Sequence, residues 1–428
     1  MEPTTSRHTS LGQRRGRFAI AALAVAAIGL GIVIAACGVP DAPAHPRLVI
    51  TAAEIAAIRQ RIADNSTPEA PAWRVFRDTH AAEALAASPN VFPGPFHGPD
   101  LEAARRALEP LGTDGSHARD LGIAFALSDD REYARKARGF LIAWAGGNTP
   151  TTIDDWESKD TGQLQSYGAF SFAYAYDLTY DSGVYSGEDR RLIESWFRQF
   201  TDALQSCNRP TLQDYFLKHP DDYSGVYEWD PSKHYSQYDS YIGGDFTLLV
   251  QTASLAMAHV SGYDEVEHRI LDDSANVLRA ESIVARSLSP RNDGDGVGTR
   301  PVPQKTIYKI YHEGRGGMFD YMTYNTRVAA VLVDMAQRIG WDKGKTETAR
   351  RRLHTTWSYL ARFFGPGAEP NFNPLDVVDT ESCLPRFALA WRAFGDRRFA
   401  TVLDSGPRET YYEPQLLGPV TVTHSTLR

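Results

Sequence analysis

From residue 51 to residue 403 the chain is a nearly unbroken succession of helical patterns, and this limits the fold more than any other feature. Apolar residues recur at spacings of three and four through TAAEIAAIRQRIAD, DLEAARRALEPL, SHARDLGIAFALSD, DREYARKARGFLIAWAG, TGQLQSYGAFSFAYAYDL and GEDRRLIESWFRQFTDALQSC. The period continues through GGDFTLLVQTASLAMAHVSG, YDEVEHRILDDSANVLRAESIVARSL, FDYMTYNTRVAAVLVDMAQRIG, KTETARRRLHTTWSYLARFF and LPRFALAWRAFGDRRFATVL. Thr51 followed three residues later by Glu54 forms a capping box that opens the first helix. Strand signals are confined to residues 306–311, which alternate weakly, and to the short β-branched run 418–423.

Neighbouring helices pair an amphipathic run with an apolar, aromatic one, as DREYARKARGFLIAWAG does with TGQLQSYGAFSFAYAYDL. Two layers of antiparallel helices predict an all-α fold, either an (α/α) barrel or toroid or an α-solenoid. No fixed-period repeat is visible, which weighs against the solenoid. Three long segments interrupt the helices, residues 148–161, 208–241 and 289–304, and function concentrates in such loops.

The N-terminus belongs outside the fold. Arg14, Arg15 and Arg17 precede an apolar or small run over residues 18–36, which ends Ala35-Ala36 directly before Cys37. That order of charge, apolar core and small residues is an export signal, and the cysteine makes it similar to a bacterial lipoprotein signal with Cys37 as the lipidated residue. A plain transmembrane anchor and a twin-arginine signal are the competing readings. The expected organisation is a signal over residues 1–36, a Pro/Ala-rich tether over 37–46, and a single domain over 47–428. The protein would then be lipid-anchored to the outer face of a bacterial membrane, or periplasmic.

Loss of residues 1–36 removes four Arg and one Glu and takes the formal charge from −8 to −11, which disfavours nucleic acid as a partner. Cys207 and Cys383 then permit one disulfide, and the absence of CxxC spacing argues against structural zinc. Neither a metal nor a cofactor is expected.

Two clusters carry chemistry. Residues 227–239, YEWDPSKHYSQYD, alternate aromatic and polar side chains, which suits the apolar face and hydroxyl rim of a sugar ring; a loop sealed by tyrosines is the structural alternative. Residues 311–325, YHEGRGGMFDYMTYN, precede an amphipathic run. Gly316-Gly317 delays the helix, so Arg315 lies in a loop and Tyr321 in the first turns. Tyr321, Asn325, Val328, Leu332 and Met335 form one stripe that aims Tyr321 inward. Arg315 and helix N-terminal amides would add positive potential and lower the tyrosine pKa. Acidic pairs around Trp156 (Asp154, Asp155, Glu157, Asp160) and Trp229 (Glu228, Asp230) offer glycoside hydrolysis as alternative chemistry. Residues 292–296, NDGDG, hint at calcium but lack the spaced ligands of an EF-hand.

HPRLVITAAEIAAIRQRIA, LIAWAGG with GQLQSYGAFSFAYAYDLTY, and HEGRGGMFDYMTYNTRVAAVLVDMAQRIGW resemble, in that order, the alginate-lyase-like polysaccharide lyases. The resemblance spans most of residues 44–340 and implies an incomplete (α/α) toroid with a substrate groove. Its most specific part is Arg315, Tyr321 and the pair Tyr324-Asn325. The family's Asn-Asn-His-x-x-Trp motif is met here by Ser232-Lys233-His234, followed by Tyr238-Asp239, so the His carries over and the Asn pair does not.

The implied activity is β-elimination on a uronate-containing polysaccharide, alginate- or glucuronan-like, with Tyr321, His234 and Arg315 as catalytic residues. Lys233, Gln163, Tyr167, Tyr238, Trp229, Tyr324 and Asn325 form the substrate-binding set. Lys233, Arg315, Gln163 and Asn325 all stand as the group that neutralises the carboxylate. The alternatives are an α/α-barrel glycoside hydrolase and a non-catalytic glycan-binding lipoprotein.

Overall fold

The computed structural model describes residues 45–96, 101–153, 159–206, 245–274, 276, 279–288, 291–292, 299–300, 318–369 and 380–424. Helix α1 (Ala52–Ala63) is followed by α2 (Glu69–Phe76), which passes through a π-helical turn at Arg77–Ala81 into α3 (Ala82–Ala86). Next come α4 (Leu101–Ser128), α5 (Arg131–Gly147), α6 (Lys159–Thr179), α7 (Gly187–Gln205), α8 (Asp245–Val260), α9 (Asp264–Leu271) and α10 (Ala280–Ser287). Two-residue strands β1 (Arg291–Asn292) and β2 (Thr299–Arg300) pair antiparallel. The remainder is α11 (Met318–Ile339), α12 (Lys343–Leu360), α13 (Thr380–Cys383), α14 (Phe387–Phe394), α15 (Arg397–Leu403) and α16 (Val420–His424).

The helices alternate between two layers. Inner helices α4, α6, α8 and α11 pack each on the next, while α5 and α7 lie outside and contact each other, and α12 backs α11. The expected pairing of α5 with α6 is a light contact; α6 packs chiefly on α4 and α8. Every described side chain of α8 from Phe246 to Ala258 is buried, as an inner helix requires. This is the all-α (α/α) toroid expected of the sequence. Each large apolar side chain that is fully buried, such as Phe140, Phe172 or Phe197, contributes roughly 1.5–3 kcal/mol.

Local chemistry sets the starts of the helices. The Thr51 hydroxyl accepts from the Glu54 N–H at 3.3 Å while the Glu54 carboxylate accepts from the Thr51 N–H at 2.7 Å, which completes the capping box. Ser186 and Asp189 do the same for α7.

Packing overrides local signals elsewhere. DLEAARRALEPL and SHARDLGIAFALSD read as two helices around Pro110 and Gly112, yet α4 runs through both. Its glycines are what the toroid needs: a Cβ on Gly115 would lie 2.9 Å from the Gly168 backbone of α6, and a Cβ on Gly168 would lie 2.5 Å from the Leu111 carbonyl oxygen. Gly122 meets Ala175 in the same register, so α4 and α6 run parallel. Conversely, the single run 263–288 divides into α9 and α10, because the Asn276 amide donates to the Arg269 carbonyl at 2.9 Å and ends α9. The last long run breaks at Gly395, whose left-handed φ of 63° caps α14, after which Asp396 caps α15. The β-branched run 418–423 is not a strand; after Pro419 it coils into α16, entirely buried, where packing outweighs β propensity. Helices α2 and α3 carried no recognised signal.

Residues 411–418 close the seam between the first and last inner helices. Glu413 and Gly418 exchange backbone hydrogen bonds of 2.7 and 2.8 Å to form a turn. On one side, Arg119 and Ser116 of α4 donate to the Pro414 carbonyl at 2.8 and 3.2 Å. On the other, Arg327 of α11 donates to Glu413 and, at 3.0 Å, to Gln415.

Candidate active site

Three inner helices begin at one end of the toroid. Gly162, in the first turn of α6, lies against Phe246 at the start of α8, where a Cβ would come within 3.0 Å of the ring. Gln163 and Tyr167, one turn apart on α6, meet Tyr324 in the second turn of α11. The positive ends of three helix dipoles therefore converge here and favour an anion. The path into α6 is pinned by Gln165, whose amide bonds both backbone groups of Thr151 at 2.8 and 2.9 Å, and by Ser206, which accepts from the Ile153 N–H at 2.7 Å.

At the centre, the hydroxyls of Tyr167 and Tyr324 are hydrogen-bonded to each other, and the Gln163 amide donates to the Tyr324 oxygen at 3.4 Å. Gln163 and Tyr167 are half-buried, whereas Tyr324 is 7% exposed. One face of the Tyr324 ring lies 4.5 Å from the Arg327 guanidinium, with that of Arg386 at 6.0 Å. Away from water such a contact contributes about 2 kcal/mol. Arg386 donates to the Thr323 hydroxyl at 2.7 Å, and that hydroxyl donates to the buried sulfur of Cys383 at 3.4 Å.

Glu413 is the carboxylate that balances this cationic cluster. Burial acts to raise its pKa, but Arg327, the Leu416 N–H, Arg386 and Arg119 together hold it below the ordinary value. Farther along the seam, burial pushes the Tyr412 phenol well above its usual value, so it stays protonated and donates to Asp120.

Asn325 follows Tyr324 and is fully buried, and neither amide atom has a hydrogen-bond partner among the described residues. A buried amide left unpaired costs about 1–3 kcal/mol, so this position favours a partner from beyond the described residues, a water or a bound polar group. Val328, Leu332 and Met335 are buried along the same stripe, as the pattern required.

Of the residues singled out in sequence, Gln163, Tyr167 and Tyr324 come together, with Asn325 adjoining. Tyr321 falls in the first turn of α11; its side chain lies outside what is described. Trp229, Lys233, His234, Tyr238, Arg315 and Cys37 lie outside the described residues, as do Asp154, Asp155, Glu157, Glu228 and Asp230 and the weak strand at 306–311. Arg327, Arg386 and Glu413 were missed. Arg327 left one trace, a single cation inside the apolar run TYNTRVAAVLV. Among the described residues no group of three or more His, Cys, Asp or Glu is placed to hold a metal ion, and no helix is long and apolar enough to cross a membrane.

The alginate lyase family model matches residues 60–214. The fold is similar to that of an alginate lyase from Bacteroides ovatus, with a TM-score of 0.53 and 14% identity, covering 90% of this chain and all of that one. Alginate lyase A1-III from Sphingomonas species A1 also matches, at a TM-score of 0.49 and 14% identity over 86% of this chain and 94% of that one. No curated protein matches the sequence. Residues 60–214 are thus similar to the alginate lyase family, and the helical toroid of the chain is similar in fold to an alginate lyase.

Proposed function

We propose that the protein cleaves a uronate-containing acidic polysaccharide, alginate- or glucuronan-like, by β-elimination, with Tyr321, His234 and Arg315 at the reacting atoms. The observation that carries this reading is the family match over residues 60–214, which runs into the Gln163, Tyr167 and Tyr324 cluster at the convergent helix starts. Hydroxyls and an amide suit sugar hydroxyls, and convergent helix dipoles suit a carboxylate.

In this scheme the uronate carboxylate is neutralised first, because the C5 proton becomes acidic only when the developing enolate-like charge is held. A base takes the C5 proton, the C4=C5 double bond forms as the C4–O4 bond breaks, and an acid protonates the departing O4. Tyr321 is the acid and, assisted by the positive charge of Arg315, also the base; His234 shares that task or holds the carboxylate. The amide of Asn325, which has no partner among the described residues, supports its place among the candidate neutralisers.

Incubation with alginate, glucuronan, hyaluronan and pectate tests the reading. Rising ultraviolet absorbance from the new double bond is expected, and reducing ends without that chromophore would mean hydrolysis instead. Tyr321→Phe should abolish the signal with the circular dichroism spectrum unchanged; full activity in that variant would sink the mechanism.

The organisation we propose is a lipoprotein signal over residues 1–36, a tether over 37–46 and a lyase domain over 47–428, anchored through Cys37. Detergent-phase partitioning that persists in Cys37→Ser would overturn the lipid anchor.

A further inference from the structure

Residues 411–418 lie far beyond the matched segment 60–214, yet they reach the site through one side chain. The Glu413 carboxylate is fixed from behind by its own turn, accepting from the N–H groups of Leu416 at 2.8 Å and Leu417 at 3.0 Å. Its other oxygen accepts from Arg327, 86 residues earlier in the chain. Both terminal nitrogens of Arg327 are thus committed at the guanidinium edge, one to Glu413 and one to Gln415. The same guanidinium lies over the Tyr324 ring, 4.5 Å from its centroid. Behind the turn, Tyr412 and Pro414 are held by Arg119, Asp120 and Ser116 of α4. Glu413 therefore sits where a rigid seam is converted into the orientation of one aromatic ring, whose hydroxyl meets Tyr167 and Gln163.

We propose that Glu413 is a positioning residue for substrate binding: by holding the edge of Arg327 it sets the Tyr324 ring, and with it the Tyr167–Tyr324 hydroxyl pair that receives the sugar. This rests on the lyase reading above. A carboxylate that served stability alone would neutralise Arg327 equally well and leave substrate affinity untouched.

A double-mutant cycle with a defined oligouronate separates the two roles. Glu413→Gln should raise KM by about fivefold or more with kcat changed less than about twofold, a coupling of the size found between residues sharing one network. In a Tyr324→Phe background the same substitution should have little further effect. Additive effects, or an unchanged KM, would overturn the proposal. Should Glu413→Gln fail to fold, the paired replacement Arg327→Met with Glu413→Gln removes the cation that the single variant leaves unbalanced and keeps an acceptor for the Leu416 and Leu417 N–H groups. The same rise in KM is expected there, and a wild-type KM in that variant refutes the role. Glu369→Gln, which breaks the exposed pair with Arg362, is the control and should leave KM unchanged.

Calorimetric binding of the oligouronate repeats the cycle without turnover. Coupling seen in Kd with no cleavage by wild type would uphold the positioning role and remove the lyase reading. Additivity in an active wild type would remove the positioning role alone, and a wild type that neither binds nor cleaves would remove both.

Discussion

Tyr167 on α6 and Tyr324 on α11 stand 157 residues apart in sequence and share a hydrogen bond between their hydroxyls. One oxygen of the pair must accept while the other donates, so each phenol fixes the other's rotamer at the end where three inner helices begin. Tyr167→Phe leaves Tyr324 with the Gln163 amide but removes the shared proton. The expected stability loss is about 1 kcal/mol, measured by urea denaturation, because a single hydrogen bond is exchanged for bonds to water. KM for an oligouronate should rise with little change in kcat; a fall in kcat alone would place Tyr167 in the chemistry rather than in binding.

Glu54 ties α1 to α11 and α14. It accepts from Arg338 at 2.8 and 3.0 Å and from Arg392 at 2.6 Å, with its side chain 24% exposed. Burial acts to raise its pKa, but the two arginines overcome this and hold it well below the ordinary carboxylate range. A folded pKa below the unfolded one means that the unfolded chain binds more protons in acid. The stabilisation is complete above the ordinary carboxylate pKa, near 4.5, and is lost as pH falls toward the folded value. Glu413 contributes with the same sign. Glu54→Gln should cost about 2–3 kcal/mol at neutral pH, less than a fully enclosed pair because water reaches the site. Its unfolding free energy should also fall less steeply than that of wild type between about pH 5 and pH 3. Equal slopes would exclude Glu54 from the acid transition.

Gly168 and Gly139 are both helical glycines, and they should respond oppositely to alanine. At Gly168 the new Cβ would meet the Leu111 carbonyl of α4, so α6 must shift, at a cost of about 1–3 kcal/mol. Because Tyr167 precedes it directly, substrate affinity should fall as well. At Gly139, exposed on α5, a Cβ meets nothing within 4 Å, and Gly139→Ala should stabilise by roughly 0.5–1 kcal/mol with unaltered kinetics. Thermal unfolding of the two variants checks both signs.

The helices that were legible in sequence were those with one apolar stripe, such as α5, α7 and α11, because an amphipathic period records which side meets the core. Where the reading failed, partners distant in sequence decided. Pro110 and Gly112 look like a boundary, but α4 continues through them because Gly115 must press on Gly168. Residues 418–423 look like a strand because they are β-branched, yet they are enclosed on every side and coil after Pro419.

The site divides the same way. Its tyrosines and amides, Gln163, Tyr167, Tyr324 and Asn325, were visible as residue types poor at forming a core and placed at the starts of helices. The sequence by itself determined the all-α class, the alternation of layers and which helix starts carry polar aromatic chemistry, since period and composition are local properties. Only the tertiary structure decided that Arg327 lies over the Tyr324 ring while it donates to Glu413. A buried cation must find its counter-charge wherever the fold brings one, and here that partner is 86 residues away.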